Sequence, residues 1–224
     1  MRILIINPNS DTAMEAKILR SAQSVVAAGT EVHCRSTASA PLFIENYLDE
    51  LLAGPGMVQL LKDGEAEFDA FIVACHSDVN IEVLREQTVK PVIGIGEASI
   101  RLATMLGYKF SVIQTTDHSV PMKEEVVRRY GALEQCASVR AVVEDDSLTP
   151  EEQIAQAAAL ALSEDDAEVL VLGCAGYAGL AGKLSAELGV PVLDGVACAV
   201  KLAEAFLACG LTTSKRRKYR PVGA

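Results

Sequence analysis

The sequence predicts an α/β fold built from two pseudo-symmetric domains, each a mostly parallel sheet flanked by helices. Half of the 224 residues are hydrophobic and only 4% are aromatic, which favours a core of Val, Ile, Leu and Ala in parallel sheets covered by helices. Short apolar runs alternate with helical patterns along the chain, as in βαβ units with right-handed crossovers. The chain also repeats itself: apolar runs lead to Cys75 and Cys174, and Pro91 and Pro191 follow these cysteines after 16 and 17 residues.

The first half opens with a strand and a polar turn. The turn at residues 7–10 supplies an N-cap for a helix whose apolar residues recur at helical spacing, and Gly29 ends that helix. A later helical region is expected to break at Gly54-Pro55-Gly56. The predicted strands of this half are residues 3–6, 31–37 and 68–74, and the two parts of the broken helical region are residues 45–52 and 57–62.

The second half repeats this order. Its first strand ends in Thr115-Thr116, much as the first strand of the chain ends in Asn7. The run Thr149-Pro150-Glu151-Glu152 is a capping box with Pro at the first helical position, and it opens a helix to about Leu162. No flexible linker separates the halves, so we expect them to pack tightly around a cleft. The remaining predictions are strands at residues 109–114 and 167–173 and a helix at residues 195–209.

Cys75 and Cys174 are the candidate catalytic residues. Each lies where an apolar strand gives way to small and polar residues, the edge at which open α/β sheets present reactive groups. Residues that can start a helix follow both, so backbone N–H groups and a helix dipole are expected to lower the thiol pKa. With no C-x-x-C pair, all six cysteines are expected to be free thiols. The four that lie inside strand or helix patterns are expected to serve packing; they are Cys34, Cys136, Cys198 and Cys209.

Two thiols on opposite sides of one small molecule suit a particular reaction. Removing a proton from a carbon next to a carbonyl and returning one to the opposite face needs a base on one side and an acid on the other. A thiolate and a thiol can exchange these roles at each turnover, with no metal and no organic cofactor. The sequence has no P-loop, and residues 94–99 lack the last glycine of a dinucleotide fingerprint. Cys75, His76 and Asp78 are nearly adjacent, so we do not expect a metal site there.

Charge and hydrophobicity argue against several classes of partner. The net charge of −10 disfavours nucleic acid and an anionic membrane. No stretch approaches the roughly 18 apolar residues of a transmembrane helix, and residues 1–6 are too short for the apolar region of a signal peptide. We therefore expect a cytoplasmic protein. We also expect a homo-oligomer. The basic segment 215–220 holds five of the 20 Lys and Arg residues and is expected to be solvated or to lie on an acidic neighbouring subunit.

Five motifs distributed over the whole chain are specific in combination. They are Asn7-Pro8-Asn9-Ser10, Ala74-Cys75, Gly173-Cys174-Ala175-Gly176, Pro191-Val192-Leu193-Asp194-Gly195 and Gly210-Leu211-Thr212-Thr213-Ser214-Lys215. Together they resemble the Asp/Glu racemase superfamily, and within it most of all the hydantoin and allantoin racemases. The resemblance implies a substrate held between two α/β domains and cofactor-independent racemisation by two cysteines, by position Cys75 and Cys174. The implied domains are residues 1–99 with 207–224, and residues 100–206.

Candidate substrate-binding residues flank both cysteines and end the first strand of each half. Many hydantoin-type relatives carry an aromatic residue and a glycine after the first cysteine, whereas this chain has His76-Ser77. These two residues could form a polar wall that binds substrate or pairs with the thiolate; alternatively, Ser77 or Asp78 is a helix N-cap beside a solvated histidine. Polar groups at the strand ends could hold a hydantoin carbonyl or a carboxylate, or could serve ordinary turns. The full candidate set is Asn7, His76, Ser77, Thr115, Thr116, Ala175 and Gly176.

The sequence thus predicts a cofactor-free racemase that inverts the carbon alpha to a carbonyl in a small polar substrate. A 5-substituted hydantoin or allantoin is the leading candidate, and an aspartate/glutamate-type amino-acid racemase comes next. A maleate isomerase or arylmalonate decarboxylase of the same superfamily is a further alternative, although such a decarboxylase needs only one thiol. A non-catalytic binding protein would have no use for two placed thiols.

Overall fold

Two four-stranded parallel sheets form the centre of the molecule, which the computed structural model describes over residues 1–220. The first sheet contains β1 (Arg2–Asn7), β2 (Glu31–Ser36), β3 (Ala70–Val73) and β4 (Val92–Gly94). The second contains β5 (Phe110–Gln114), β6 (Cys136–Ala141), β7 (Val169–Leu172) and β8 (Val192–Asp194). The strand orders are β2-β1-β3-β4 and β6-β5-β7-β8, and all strand pairs are parallel. The predicted α/β fold of two similar halves is confirmed.

Helices connect the strands in both halves. They are α1 (Thr12–Val25), α2 (Tyr47–Gly64), α3 (Ile81–Gln87), α4 (Ile95–Leu106), α5 (Val120–Arg129), α6 (Pro150–Glu164), α7 (Ala181–Leu188) and α8 (Gly195–Ala208). Short 3₁₀ turns occur at Asp117–Ser119, Leu133–Gln135 and Ala175–Tyr177. Across residues 1–220, no helix combines the length and the apolar character that crossing a membrane requires.

The central strands β1 and β3 of the first sheet are buried on both faces, which explains their continuous apolar runs. Along β1, Ile3 and Ile5 pack into one hydrophobic cluster, whereas Leu4 and Ile6 pack into another. The two clusters lie on opposite faces because successive side chains of a strand alternate in direction. A strand covered on both faces reads as an unbroken apolar run instead of an alternating pattern.

The last helix of each half packs against the sheet of the other half. Helix α8 follows the second sheet, yet its Val196 and Val200 belong to the cluster on the first sheet. Helix α4 follows the first sheet, and its Ile100 and Ala103 pack with residues of β5 and β7. The predicted domain boundaries at residues 99/100 and 206/207 fall inside these two helices and stay a prediction; residues 221–224 of the first domain lie outside the described residues.

Helix α2 is continuous, so the expected break at Pro55 was wrong. The buried face of the helix overrides the local sequence, because Met57 and Leu61 are one turn apart and pack with the first sheet. Glycine is required at position 56, where an added Cβ would lie 2.4 Å from Cγ2 of Thr37.

The basic segment near the C-terminus lies on its own chain. The Lys215 ammonium donates to the carbonyl oxygens of Arg85 and Glu86 at the end of α3. Lys218 forms an ion pair with Glu82 at 3.0 Å. Part of the expected solvated tail is therefore held against α3, since the last carbonyl groups of a helix attract cations.

Candidate active site

A cavity of about 940 Å³ opens between the two halves at the carboxyl ends of their strands. In parallel sheets with this strand order, ligands bind beside the first and third strands, where the direction of chain crossover changes. Residues following β1 and β3 line one side of the cavity, and residues following β5 and β7 line the other. Cys75 and Cys174 both line it, just beyond the equivalent strands β3 and β7. The structure thus brings the two candidate catalytic residues into one cleft.

Burial dominates the electrostatics of both thiols. It raises the pKa of Cys75 to about 11 and raises the pKa of Cys174, while the Lys123 ammonium acts in the opposite direction on both. The Gly176 N–H donates to the Cys174 sulfur at 3.3 Å, and the Ser77 N–H has the same role for Cys75. The backbone N–H groups expected beside the two sulfurs are present and lower the thiol pKa values, but the expected net lowering was wrong because burial outweighs them.

His76 is buried and lines the cavity, so the solvated histidine considered above was wrong. Its Nε2 lies 3.0 Å from Oγ of Ser99, whose hydroxyl donates to the Ile95 carbonyl at 2.7 Å. Ser99 therefore accepts from His76, and we assign the proton to Nε2. Burial lowers the pKa of this imidazole well below its usual value, so His76 is a neutral wall of the cleft and its Nδ1 has no partner among the described residues.

Neither Ser77 nor Asp78 is the N-cap of the following helix. The N-cap of α3 is Asn80, which makes no side-chain capping bond. Ser77 lines the cavity, and its hydroxyl oxygen accepts from the Lys123 ammonium at 3.3 Å. The polar-wall interpretation of His76 and Ser77 therefore agrees with their positions, and their contact with substrate stays a prediction.

Asp78 fastens the Cys75 loop to α4. Its carboxylate accepts from the backbone N–H groups of Gly96 and Glu97 at 2.9 and 2.6 Å and from the Tyr130 hydroxyl at 2.6 Å. Burial raises the pKa of this carboxyl to about 6 despite these donors. Tyr130 follows α5 in the second half, so the loop that carries Cys75 is held from both sides of the cleft.

The corresponding helix of the second half is capped differently. Asp194, directly before α8, accepts from the Val196 N–H at 2.8 Å in the usual N-cap manner. Gly94 occupies the equivalent place before α4, and a Cβ there would lie 2.1 Å from Oδ1 of Asp78. The Asp78 carboxylate thus occupies the position in the first half that the Asp194 side chain occupies in the second, and Gly96 takes the part of Val196 as donor.

Most of the other predicted binding residues reach the cavity. Thr115, Thr116, Ala175 and Gly176 all line it. Asn7 does not line it among the described residues: its amide nitrogen donates to Oδ1 of Asn9 at 2.7 Å and fixes the turn after β1. Asn9 lines the cavity in its place. The roles of these residues in substrate binding stay predictions.

Sequence reasoning missed Lys123. This lysine lies on α5, is 1% exposed and lines the cavity. A signal was available, because Lys123 occupies the same face of an amphipathic helix as the buried Val126 and Val127. A lysine on the apolar side of a helix is unusual, since its charge must be removed from water.

The other four cysteines lie away from the cavity lining, and six free thiols are present. Cys34 and Cys198 are buried in the core cluster of the first sheet, as expected for packing. Cys209 is exposed at the end of α8, so its expected core position was wrong. Within residues 1–220, no group of three or more His, Cys, Asp and Glu side chains is arranged to hold a metal ion.

Comparison with known proteins gives a consistent assignment. The family model described as Asp/Glu/Hydantoin racemase matches residues 3–203. A curated hydantoin racemase from Rhizobium meliloti is 41% identical, over 98% of this chain and 94% of its own length. The solved structure of an allantoin racemase from Klebsiella pneumoniae has a TM-score of 0.95 at 35% identity and covers 100% of this chain and 95% of its own. The solved structure of an allantoin racemase from Pseudomonas fluorescens has a TM-score of 0.93 at 36% identity and covers 100% of this chain and 99% of its own.

The two similar halves, the cleft lined by one thiol from each, and these full-length relatives agree with one another. The chain belongs to the Asp/Glu/hydantoin racemase family and is an isomerase of the racemase type.

Proposed function

We propose that this protein is a cofactor-independent racemase that inverts the carbon alpha to a carbonyl in a 5-substituted hydantoin or allantoin, with Cys75 and Cys174 as its acid/base pair. The observation that carries the proposal is the placement of both thiols on one cavity, each from the equivalent position of a repeated half. Two groups on opposite sides of a cleft can address opposite faces of one planar intermediate.

The reaction needs only proton transfers. One cysteine, as thiolate, takes the proton from the substrate carbon, and the electron pair of the broken C–H bond moves onto the adjacent carbonyl oxygen. The other cysteine, as thiol, then gives its proton to the opposite face of the same carbon. The two cysteines finish with exchanged protonation states, so the enzyme is ready for the opposite enantiomer.

The cavity supports a substrate that has both a polar ring and an apolar substituent. Hydroxyl and backbone groups at Ser77, Thr115 and Thr116 could pair with ring carbonyl and N–H groups, in the manner of other polar groups that orient ligands. Apolar side chains complete the lining; they are Met14, Phe43, Ile44, Ile154, Tyr177 and Leu180. Similar proteins named hydantoin racemase and allantoin racemase support the same class, since allantoin is itself a hydantoin substituted at carbon 5.

An aspartate/glutamate-type racemase is the second candidate. Three cations, Lys17, Arg20 and Lys123, also line the cavity and would suit a carboxylate. The apolar lining favours the hydantoin class over a dicarboxylic substrate. The expected cytoplasmic location and homo-oligomeric state stay predictions.

Optical rotation tests the proposal directly. Single enantiomers of allantoin, benzylhydantoin, aspartate and glutamate are incubated with the enzyme in EDTA, without pyridoxal phosphate, and with enzyme-free blanks for spontaneous racemisation. We expect rotation of at least one hydantoin to decay to zero with no change in mass, while the amino acids keep theirs. Racemisation of only the amino acids would assign the second candidate, and activity that returns only with added zinc would overturn the cofactor-free mechanism. Conversion of maleate or an arylmalonate instead would assign the isomerase or decarboxylase alternative.

A further inference from the structure

Lys123 is a buried cation that forms no ion pair with any residue between 1 and 220. Its ammonium donates to Oγ of Ser77 at 3.3 Å, and none of the ion pairs within residues 1–220 includes it. An ammonium has three donors, so two remain for whatever fills the cavity that it lines. A buried charge is costly unless it is paired, and such groups are concentrated at functional sites.

The position of Lys123 relates it to both thiols. It extends from α5 in the second half to Ser77 in the first, two residues after Cys75. Among charged groups, it is the one that lowers the pKa of Cys75 and of Cys174 the most, against the larger effect of burial. Four acidic groups influence Lys123 in return, namely Cys75, Asp78, Cys174 and Glu50, although burial still lowers its own pKa.

We propose that Lys123 is a catalytic residue of the racemisation, whose ammonium stabilises the negative charge that forms on the substrate's carbonyl oxygen. This inference rests on the proposed function. As the C–H bond breaks, its proton goes to the cysteine thiolate and its electron pair to the carbonyl oxygen, to which Lys123 donates a hydrogen bond while keeping its own proton. Reprotonation from the other face returns the electron pair to carbon.

Burial is what distinguishes Lys123 from the other cations of the lining. Lys17 and Arg20 are exposed, so water and salt screen their charge. Lys123 is enclosed by protein, where a hydrogen bond to a developing oxyanion is worth far more than in water. One cation that acts on both thiols can also serve both directions of the reaction, because the enolate is common to both.

The test replaces the charge in two ways. Lys123→Met keeps the length of the side chain without the charge, and Lys123→Gln keeps a donor for Ser77 without the charge. The matched control is Arg128→Met, which removes one positive charge from an exposed site on the same helix. We expect both Lys123 variants to lose about 10²–10³-fold in kcat with a smaller change in KM, as for other oxyanion donors, and Arg128→Met to keep the wild-type kcat.

Two further measurements separate catalysis from structure. Melting temperature should stay or rise in Lys123→Met, because an unpaired buried charge is removed, whereas loss of a structural contact would lower it. The rate at which iodoacetamide alkylates the cleft thiols is measured against pH. The midpoint of this curve should shift to higher pH in both Lys123 variants and not in Arg128→Met.

The outcomes are separable from those of the proposed function. If wild type racemises none of the hydantoins, the proposed function fails, and the kcat comparison is made on the substrate that optical rotation identifies. If wild type is active and both Lys123 variants keep its kcat, the inference is overturned while the function stands. A kcat loss that vanishes when rates are compared at equal thiolate fraction, read from the alkylation curves, would show that Lys123 acts only through the thiols and would overturn the inference.

Discussion

At the residue scale, the two cleft thiols have different surroundings. The Cys75 loop is tied to α4 through Asp78 and touches α5 through Ser77. Cys174 is the N-cap of the 3₁₀ turn Ala175–Tyr177, and its sulfur accepts from the Gly176 N–H. Each thiol follows a strand of its own sheet and lines its own side of the cleft, so each should act on one face of the substrate only.

Replacing either cleft thiol with serine should strongly slow racemisation. In Cys75→Ser and Cys174→Ser we expect a loss of about 10²–10⁴-fold in rate, because a hydroxyl is a much weaker base than a thiolate and each conversion uses both groups. Racemisation is followed by optical rotation, and circular dichroism checks the fold. Cys209→Ser, at an exposed thiol away from the cavity, is the control and should match wild type.

Deuterium exchange in D₂O extends the same test. In wild type, deuterium should appear in the inverted product before it appears in the remaining substrate. The surviving thiolate of each variant should exchange the α-proton of one enantiomer without inverting it, and the two variants should prefer opposite enantiomers in NMR spectra. Equal exchange of both enantiomers by one variant would show that a single base reaches both faces, against the paired-thiol mechanism.

The sequence located the thiols because the repeat marks them, and it could not reveal their neighbours. Cys75 and Cys174 are recognisable since each ends an apolar strand of a repeated unit. Lys123 lies 48 residues from Cys75 along the chain, and only the packing of α5 brings it to the cleft. The burial of His76 likewise depends on α4, whose Ser99 supplies its partner.

At the element scale, two helices have the same N-terminal geometry and different caps. Gly94 and Asp194 have φ of −88° and −89° and ψ of 143° and 117°, so an aspartate at position 94 could adopt the backbone that position 194 has. What prevents it is the Asp78 carboxylate, which already fills that space.

A double substitution should transplant one cap into the other half. Asp78→Ala alone leaves buried donors unpaired and should cost about 3 kcal/mol in the free energy of unfolding. Gly94→Asp alone forces two carboxylates together and should cost roughly 1–3 kcal/mol. Combined, the new Asp can accept from Gly96, and we expect a favourable coupling of about 2 kcal/mol in urea unfolding.

The test compares the loss in free energy of unfolding of the double variant with the sum of the losses of the two single variants. Additive losses in the double variant would show that the two carboxylates do not occupy equivalent positions. Activity should recover less than stability, because Ala at position 78 also frees the Cys75 loop from α4 and from Tyr130.

Elements were predictable where packing agrees with local pattern. The central strands β1, β3, β5 and β7 are buried on both faces, and their apolar runs reveal them. The continuity of α2 could not be predicted, because the local sequence at Pro55 favours a break and only the packing of Met57 and Leu61 opposes it. The capping box at Thr149 was correct, since its bonds to Glu152 are local.

At the scale of the whole molecule, the exchanged helices α4 and α8 hold the two sheets together. They come close at Gly195, where an added Cβ would lie 2.7 Å from the Ile95 carbonyl oxygen. The separation of the two sheets, and with it the distance between the thiols, therefore depends on the absence of a side chain at this position.

Gly195→Ala should push the helices apart. We expect a loss of about 2 kcal/mol in the free energy of unfolding from overpacking, and a fall in kcat beyond what that loss explains, because the thiols are carried by the two sheets. The control is Gly182→Ala in α7, where an added Cβ meets nothing within 4 Å. This variant should leave the free energy of unfolding unchanged or raise it by up to about 1 kcal/mol. Equal stability of the two variants would contradict the view that the close approach of α4 and α8 at Gly195 leaves no room for a side chain.

The unequal surroundings of the two thiols have a kinetic consequence. Mirror-image substrates have equal free energies in water, and both directions of the reaction pass through the same highest transition state. Because kcat/KM measures the free-energy difference between that transition state and free enzyme with substrate, it must be identical for the two enantiomers, however asymmetric the cleft. The differences between the Cys75 and Cys174 loops can appear only as paired changes in kcat and KM, in which the enantiomer bound more tightly is turned over more slowly.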